Sequence, residues 1–328
     1  MEAAANEARS TPLGFVRSLA RARWGDVLFR LVVGIFGLSL LLLAALMVWQ
    51  LFFESHASIS TFGWGFLSGR VWNAAGAGVF GAAPAIYGTF VSSTIAILLA
   101  VPISLGAAIF LAEMAPPWLR HPASFLVESL AAIPSVIFGL WGYYLLAPKL
   151  AVIEQALADH FGFVPLFGTH VYGAYGMLAA GVILAIMILP IITAIARDSL
   201  LAVPSTQREA MLALGATKWE MISRAVVQYC RSGLVGAVLL GLGRALGETM
   251  AVTMLIGKVY QIKTSLFLPA ATTASQIASE FGEAQANPLG RSALMELALI
   301  LLVVTLAVNV AARLLVWRIA RSPEMIRE

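Results

Sequence analysis

The sequence predicts an all-α integral membrane protein with six transmembrane helices and both termini in the cytoplasm. Three observations lead there. Hydrophobic residues make up 60% of the 328 residues and charged residues only 12%, with a mean hydropathy of +0.89, whereas a soluble domain carries about a quarter charged residues on the surface it shows to water. Six apolar runs have the length that a helix needs to cross a hydrocarbon core of about 30 Å. The Lys and Arg residues between those runs fall mostly on one side. The same composition excludes a disordered chain, a collagen-like repeat and a disulfide-rich scaffold.

In chain order, the first run, 31–53, is uncharged and too long for the apolar stretch of a cleaved signal peptide, so it is expected to be a retained anchor. The second, 85–112, is uncharged and contains Pro102, which removes one helical hydrogen bond and predicts a kink. The third, 123–147, is interrupted by Glu128 and Pro134, and the fourth, 172–196, has Pro190 near its end. Arg244 and Glu248 lie inside the fifth, 232–256; Glu296 and Arg313 lie near the ends of the sixth, 292–316.

With a cytoplasmic N-terminus, fifteen Lys and Arg lie inside and five outside (Arg70, Lys149, Lys258, Lys263 and Arg291), leaving Arg244 in the membrane. The expected organisation is a cytoplasmic tail (1–30), an anchor helix (31–53), an extracytoplasmic segment (54–84), a helical core (85–316) holding a cytoplasmic loop (197–231), and a cytoplasmic tail (317–328). Two further extracytoplasmic segments, 148–171 and 257–291, follow from the same orientation. Trp64, Phe66 and Trp72 in the 54–84 segment read either as interface aromatics or as a docking surface. A net charge of +4 without a basic, aromatic-rich patch gives no sign of nucleic-acid binding.

Cys230 is the only cysteine, so no intramolecular disulfide can form. His56, His121, His160 and His170 are widely spaced, and no metal site is expected. The phosphate-binding loop GxxxxGK[ST], GxGxxG, GxSxG and HExxH are all missing from the sequence. The chain is therefore expected not to be an enzyme, and uphill transport would need a partner or an ion gradient.

Arg244 stands about 12 residues into its run, about 18 Å along a helix and near mid-membrane. A charge at that depth normally faces a bundle interior or a water-filled path. With Glu248 at i+4, the two side chains share one helix face. Two readings follow: a fixed ion pair that locks packing, or a substrate contact in which the five donors of the guanidinium bind an oxyanion and the carboxylate tempers that binding or takes a proton from it. Gly243 and Gly247, with Gly233, Gly236 and Gly241, permit close helix packing or open backbone space for a ligand. Pro134 and Ser135 break the third run at membrane depth, either as an ordinary kink or as part of a path. Glu128 is expected to pair with a basic residue. Thr89, Ser92, Ser93 and Thr94 are weaker path candidates, because such side chains commonly bond their own helix.

Residues 208–219 read as a short helix, a glycine break and a second amphipathic piece. EAMLALGA at 209–216 resembles the EAA loop of type I ABC importer permeases, with Met211 replacing the second alanine and Val226-Val227-Gln228 replacing the usual apolar-x-Leu-Pro ending. LAAIPSVIFGLWG at 130–142 and GLGRALGETMAV at 241–252 resemble the C-type permeases of the phosphate-specific transport system, and the resemblance covers about 86–316.

This resemblance implies the type I ABC importer permease fold in a bacterial plasma (inner) membrane, and a role as half of the translocation path for inorganic phosphate. It implies an A-type permease, a dimer of ATP-binding subunits and an extracytoplasmic phosphate-binding protein as partners. No cofactor is expected on this chain; ATP and Mg are expected on the ATPase. Arg244 and Glu248 take the path role, Glu209, Ala210, Gly215 and Ala216 the ATPase-coupling role, while Pro134 and Ser135 match the motif without a defined part. The alternatives are a permease for sulfate or molybdate, an ATP-independent channel or a lipid-acting membrane enzyme, and a regulatory scaffold.

Overall fold

The computed structural model describes residues 12–73, 78–168, 173, 175–284 and 287–320. His170 and the outer ends of both expected tails lie outside the described residues. The chain divides into two compact units, Met1–Glu54 and Ser55–Glu328.

The first unit is one helix, α1 (Pro12–Glu54). From Trp24 onward its apolar side chains are exposed nearly all round, as a lipid-facing span requires.

The second unit begins with two short helices, α2 (His56–Phe62) and α3 (Gly65–Ser68), and a two-residue hairpin, β1 (Trp72–Asn73) with β2 (Val79–Phe80). Phe66 is fully buried and Trp72 packs edge-on to Phe80 at 4.9 Å. These two aromatics form a small core rather than an interface belt; Trp64 alone stays open, at 87% exposure.

Next come α4 (Ala83–Met114), α5 (Pro117–Ala131), α6 (Ser135–Phe161) and α7 (Met177–Leu201). α4 continues through Pro102 and closes on a π turn at Phe110–Met114. α7 is the central helix, burying Ile183, Leu184, Ile188, Ile192 and Leu200 against its neighbours. It grips α4 through Ser104, whose hydroxyl donates to the Leu189 carbonyl at 3.1 Å, and through Gly181, where an added Cβ would lie 2.6 Å from Ile95.

The remainder is α8 (Ser205–Ala213), α9 (Lys218–Tyr229), α10 (Arg231–Gly247), α11 (Met250–Leu255), α12 (Thr273–Ala284) and α13 (Pro288–Ala320). α9 and α10 meet at a bend of 71°. Among the described residues, five helices are long and apolar enough to cross a membrane, and the bent pair brings the number to six.

Two runs differ from the sequence expectation. The third is not a kinked helix over 123–147: the chain stops at 131, turns, and restarts at Ser135 as a 27-residue rod ending at Phe161. Pro134 lacks the N–H to continue α5 but suits the N-terminal edge of a new helix, where that donor would be unused. Residues 148–161, expected in an external loop, therefore belong to the rod. The fifth run is not one helix over 232–256; it breaks at Glu248.

Candidate functional site

α10 ends because Gly247, a poor helix former, is followed by Glu248 in an extended conformation (φ −69°, ψ 129°). The Glu248 carboxylate folds toward α11, where its Oε1 accepts the Ala251 N–H at 3.4 Å. Arg244 occupies the last turn of α10, where the helix dipole favours a cation. The shared helix face expected from the i, i+4 spacing is thus absent: Glu248 lies past the helix end and is 9% exposed, Arg244 is exposed, and no ion pair joins them. Among the described residues no hydrogen bond holds the Arg244 guanidinium. The two side chains thus do not pair with each other.

The glycines of this stretch separate into two groups. Cβ atoms at Gly233 and Gly241 would lie 2.5 Å from Ser199 Oγ and 2.6 Å from Ile192 Cγ1, so these two let α10 seat against α7. Gly236 and Gly247 have open space, and Gly243 has only the Asn309 amide at 3.9 Å. Packing explains the first pair, while Gly243 and Gly247 leave open space next to Arg244 in the last turn of α10.

The two motifs that flank the loop in sequence pack on each other. A Cβ at Gly139 would lie 3.0 Å from Ala251 Cα, and one at Gly142 would lie 2.7 Å from Leu255 Cδ1. α6 and α11 therefore advance side by side in the same direction, which places the break at Pro134 at the same end as the break at Glu248. Pro134 is exposed and Ser135 half-buried at that end.

α8 and α9 form the expected helix, glycine break and helix. Gly215 adopts φ +80°, a left-handed conformation that glycine enters without the Cβ penalty, and its N–H closes on the Leu212 carbonyl at 3.0 Å. Thr217 and Glu220 then start α9 with a reciprocal capping box. Glu209, Ala210 and Gly215 are exposed and Ala216 half-buried, next to the open apolar side chains of Leu214 and Trp219. Glu128 has the basic partner expected of it, Arg197 at 3.0 Å.

Three features escape sequence reasoning. Arg208 reaches Glu113, 95 residues earlier, at 2.7 Å. Glu154 is fully buried in α6, and neither carboxylate oxygen has a hydrogen-bond partner among the described residues. A cavity of about 610 Å³ lies between Tyr143, Tyr144, Tyr175, Thr253 and Lys258, away from Arg244. The only signals in the sequence were the charges themselves. Of the weaker path candidates, Thr89, Ser92 and Thr94 each bond the carbonyl four residues back, and the buried Ser93 hydroxyl has no partner among the described residues. No cluster of His, Cys, Asp and Glu able to hold a metal occurs among the described residues.

The family described as binding-protein-dependent transport system inner membrane component matches residues 101–321. The chain belongs to this family. Membership makes it a multi-pass inner-membrane component and implies association with an ATPase and a substrate-binding partner. Its relatives include the phosphate transport system permease protein PstC of Pasteurella multocida, 45% identical over 90% of this chain and 93% of that one. The PstC of Haemophilus influenzae is 43% identical over 91% of this chain and 95% of that one. Among solved structures, a chain of a bacterial alginate ABC transporter in complex with an alginate pentasaccharide-bound periplasmic protein matches with a TM-score of 0.61 at 16% identity. That match covers 91% of this chain and 98% of the other; it bears on the fold, which is that of an ABC importer permease.

Proposed function

We propose that this chain is the permease subunit of an ATP-driven importer of inorganic phosphate, and that it lines half of the translocation path. The observation that carries the path assignment is an arginine with no partner among the described residues, standing in the last turn of a broken span. The relatives named phosphate transport system permeases, similar over nearly their whole length, supply the substrate.

Both termini face the cytoplasm in this reading. An A-type permease forms the other half of a heterodimer, a dimer of ATP-binding subunits holds ATP and Mg, and an extracytoplasmic phosphate-binding protein delivers the ion. This chain is not itself catalytic. Arg244 presents its planar fork to two phosphate oxygens. Glu248, one step past the helix end, keeps the attraction from becoming a trap and accepts a hydrogen bond from the P–OH of hydrogen phosphate. Pro134 and Ser135 line the same end of the path. The exposed surface of Glu209, Ala210, Gly215 and Ala216 docks on the ATPase, and ATP-driven closure of that partner rocks α4, α7 and α10 between outward and inward arrangements.

The test is ATP hydrolysis by the complete complex reconstituted in liposomes, with binding protein added alone, with phosphate or with sulfate, together with uptake of the labelled ions. Stimulation and uptake with phosphate alone are expected. Equal responses to sulfate would move the assignment to a broader oxyanion importer, and uptake without the ATPase would replace it with a channel.

A further inference from the structure

α8 is the helix on which the ATPase contact is proposed to sit, yet it has no buried residue of its own and lies against α9. Its apolar hold on the core is the half-buried Met211, which leaves it little interlocked face to push with. Among the described residues its polar tie to the spans is a single side chain. Arg208, in the first turn of α8, donates from Nη2 to Glu113 Oε1 at 2.7 Å and from Nε to both carboxylate oxygens at 3.2 and 3.3 Å. Nη1 donates to the Val203 carbonyl at 2.5 Å and Nη2 also to the Leu200 carbonyl at 2.9 Å.

Glu113 belongs to the π turn that closes α4, and Leu200 to the last turn of α7. One guanidinium thus joins α8, the end of α4 and the end of α7. The side chains are 21% and 6% exposed for Arg208 and Glu113, so water competes little for these bonds. The planar fork also matters. A lysine offers one compact charge and cannot hold a carboxylate and two separate carbonyls in fixed directions.

We propose that the Glu113–Arg208 pair is the strut that carries movement of α8 into α4 and α7, making both residues positioning residues for the coupling of ATP hydrolysis to transport. This rests on the reading that α8 docks on the ATPase. It assigns a different task from that of the docking surface: Glu209 and its neighbours meet the partner, whereas Glu113 and Arg208 face inward and pass the movement on.

The experiment compares wild type with Glu113→Gln, Arg208→Lys and the control Glu128→Gln, which removes an exposed ion-pair partner of Arg197, in the complete reconstituted complex. Assembly is checked by size-exclusion chromatography, and two quantities are read. The number of labelled phosphate ions moved per ATP hydrolysed is expected to fall at least fivefold in Glu113→Gln and Arg208→Lys, with hydrolysis retained, and to stay at the wild-type value in Glu128→Gln. Amide hydrogen exchange over 205–213 is expected to speed up at least fivefold in the same two variants. A wild-type complex that hydrolyses ATP without moving phosphate would refute the substrate assignment alone, and the exchange rates would then decide the strut. Unchanged exchange over 205–213, or uptake and hydrolysis falling in equal proportion, would overturn it.

Discussion

Gly88→Ala adds one methyl group where α4 meets the backbone of the segment before α12. The new Cβ would lie 2.2 Å from the Ala271 carbonyl oxygen and 3.0 Å from its carbon. A carbon and a carbonyl oxygen normally approach no closer than about 3.3 Å, so the backbone must retreat by about 1 Å. Residue 271 cannot retreat alone, since Thr273 N donates to Thr89 Oγ1 at 2.9 Å and Ala270 N to the Ile256 carbonyl at 2.9 Å. Overpacking a tight contact costs about 1–3 kcal/mol, and each strained or lost hydrogen bond costs about 1 kcal/mol more. A loss of about 3 kcal/mol is expected, equivalent to about two powers of ten in an inactivation rate if it falls wholly on the unfolding barrier. The assay is the half-life of the purified chain in detergent at a fixed temperature, followed by loss of monodispersity. Gly106→Ala, on the same helix with no atom within 4 Å of the new Cβ, is the companion variant; it is expected to be neutral or to gain up to about 1 kcal/mol. A Gly88→Ala protein as long-lived as wild type, or a Gly106→Ala protein as short-lived as Gly88→Ala, would refute the close-approach argument.

Tyr260 donates its hydroxyl to the Gly81 carbonyl, tying 257–272 to the start of α4; Tyr260→Phe is expected to lower stability by about 1–2 kcal/mol, seen as a lower thermal midpoint in detergent. Glu280 on α12 has its pKa raised above the ordinary 4.5 by burial and secondarily by the neighbouring charge of Glu283. A raised carboxylate favours the folded state below pH 4.5 and loses that contribution as pH rises through its folded value, so Glu280→Gln is expected to raise the thermal midpoint at pH 7 and leave it unchanged at pH 4. A gain at pH 4 equal to that at pH 7 would show that charge is not the cause.

The apolar runs were legible because lipid imposes a length and a near-absence of charge, and four of the six are helices over nearly the expected residues. The helix, glycine break and helix read over 208–219 were legible as well, because Gly215 is a local signal. The breaks were not. A proline in an apolar run reads equally as a kink or as a stop, and at Pro134 the stop prevails because α6 then seats Gly139 and Gly142 against α11. A run scan ends α6 at Ala147 because Lys149 and Glu154 follow, yet Glu154 is buried. The i, i+4 rule for Arg244 and Glu248 presumed a continuous helix, and Gly247 ends it three residues after the arginine. The Glu113–Arg208 contact spans 95 residues, and no local pattern pairs two such charges.

The central claim is that the Arg244 guanidinium, which has no partner among the described residues, meets the transported anion. The most direct measurement is ATP-dependent uptake of labelled phosphate by the complete reconstituted complex carrying Arg244→Gln, with Arg244→Lys alongside and assembly verified for each. Truncating a partner of a charge-assisted contact costs about 2–5 kcal/mol, so uptake is expected to fall at least ~30-fold in Arg244→Gln and less in Arg244→Lys, which keeps the charge but not the fork. An assembled Arg244→Gln complex that takes up phosphate within twofold of the wild-type rate would contradict the account and return Arg244 to helix packing against a partner subunit.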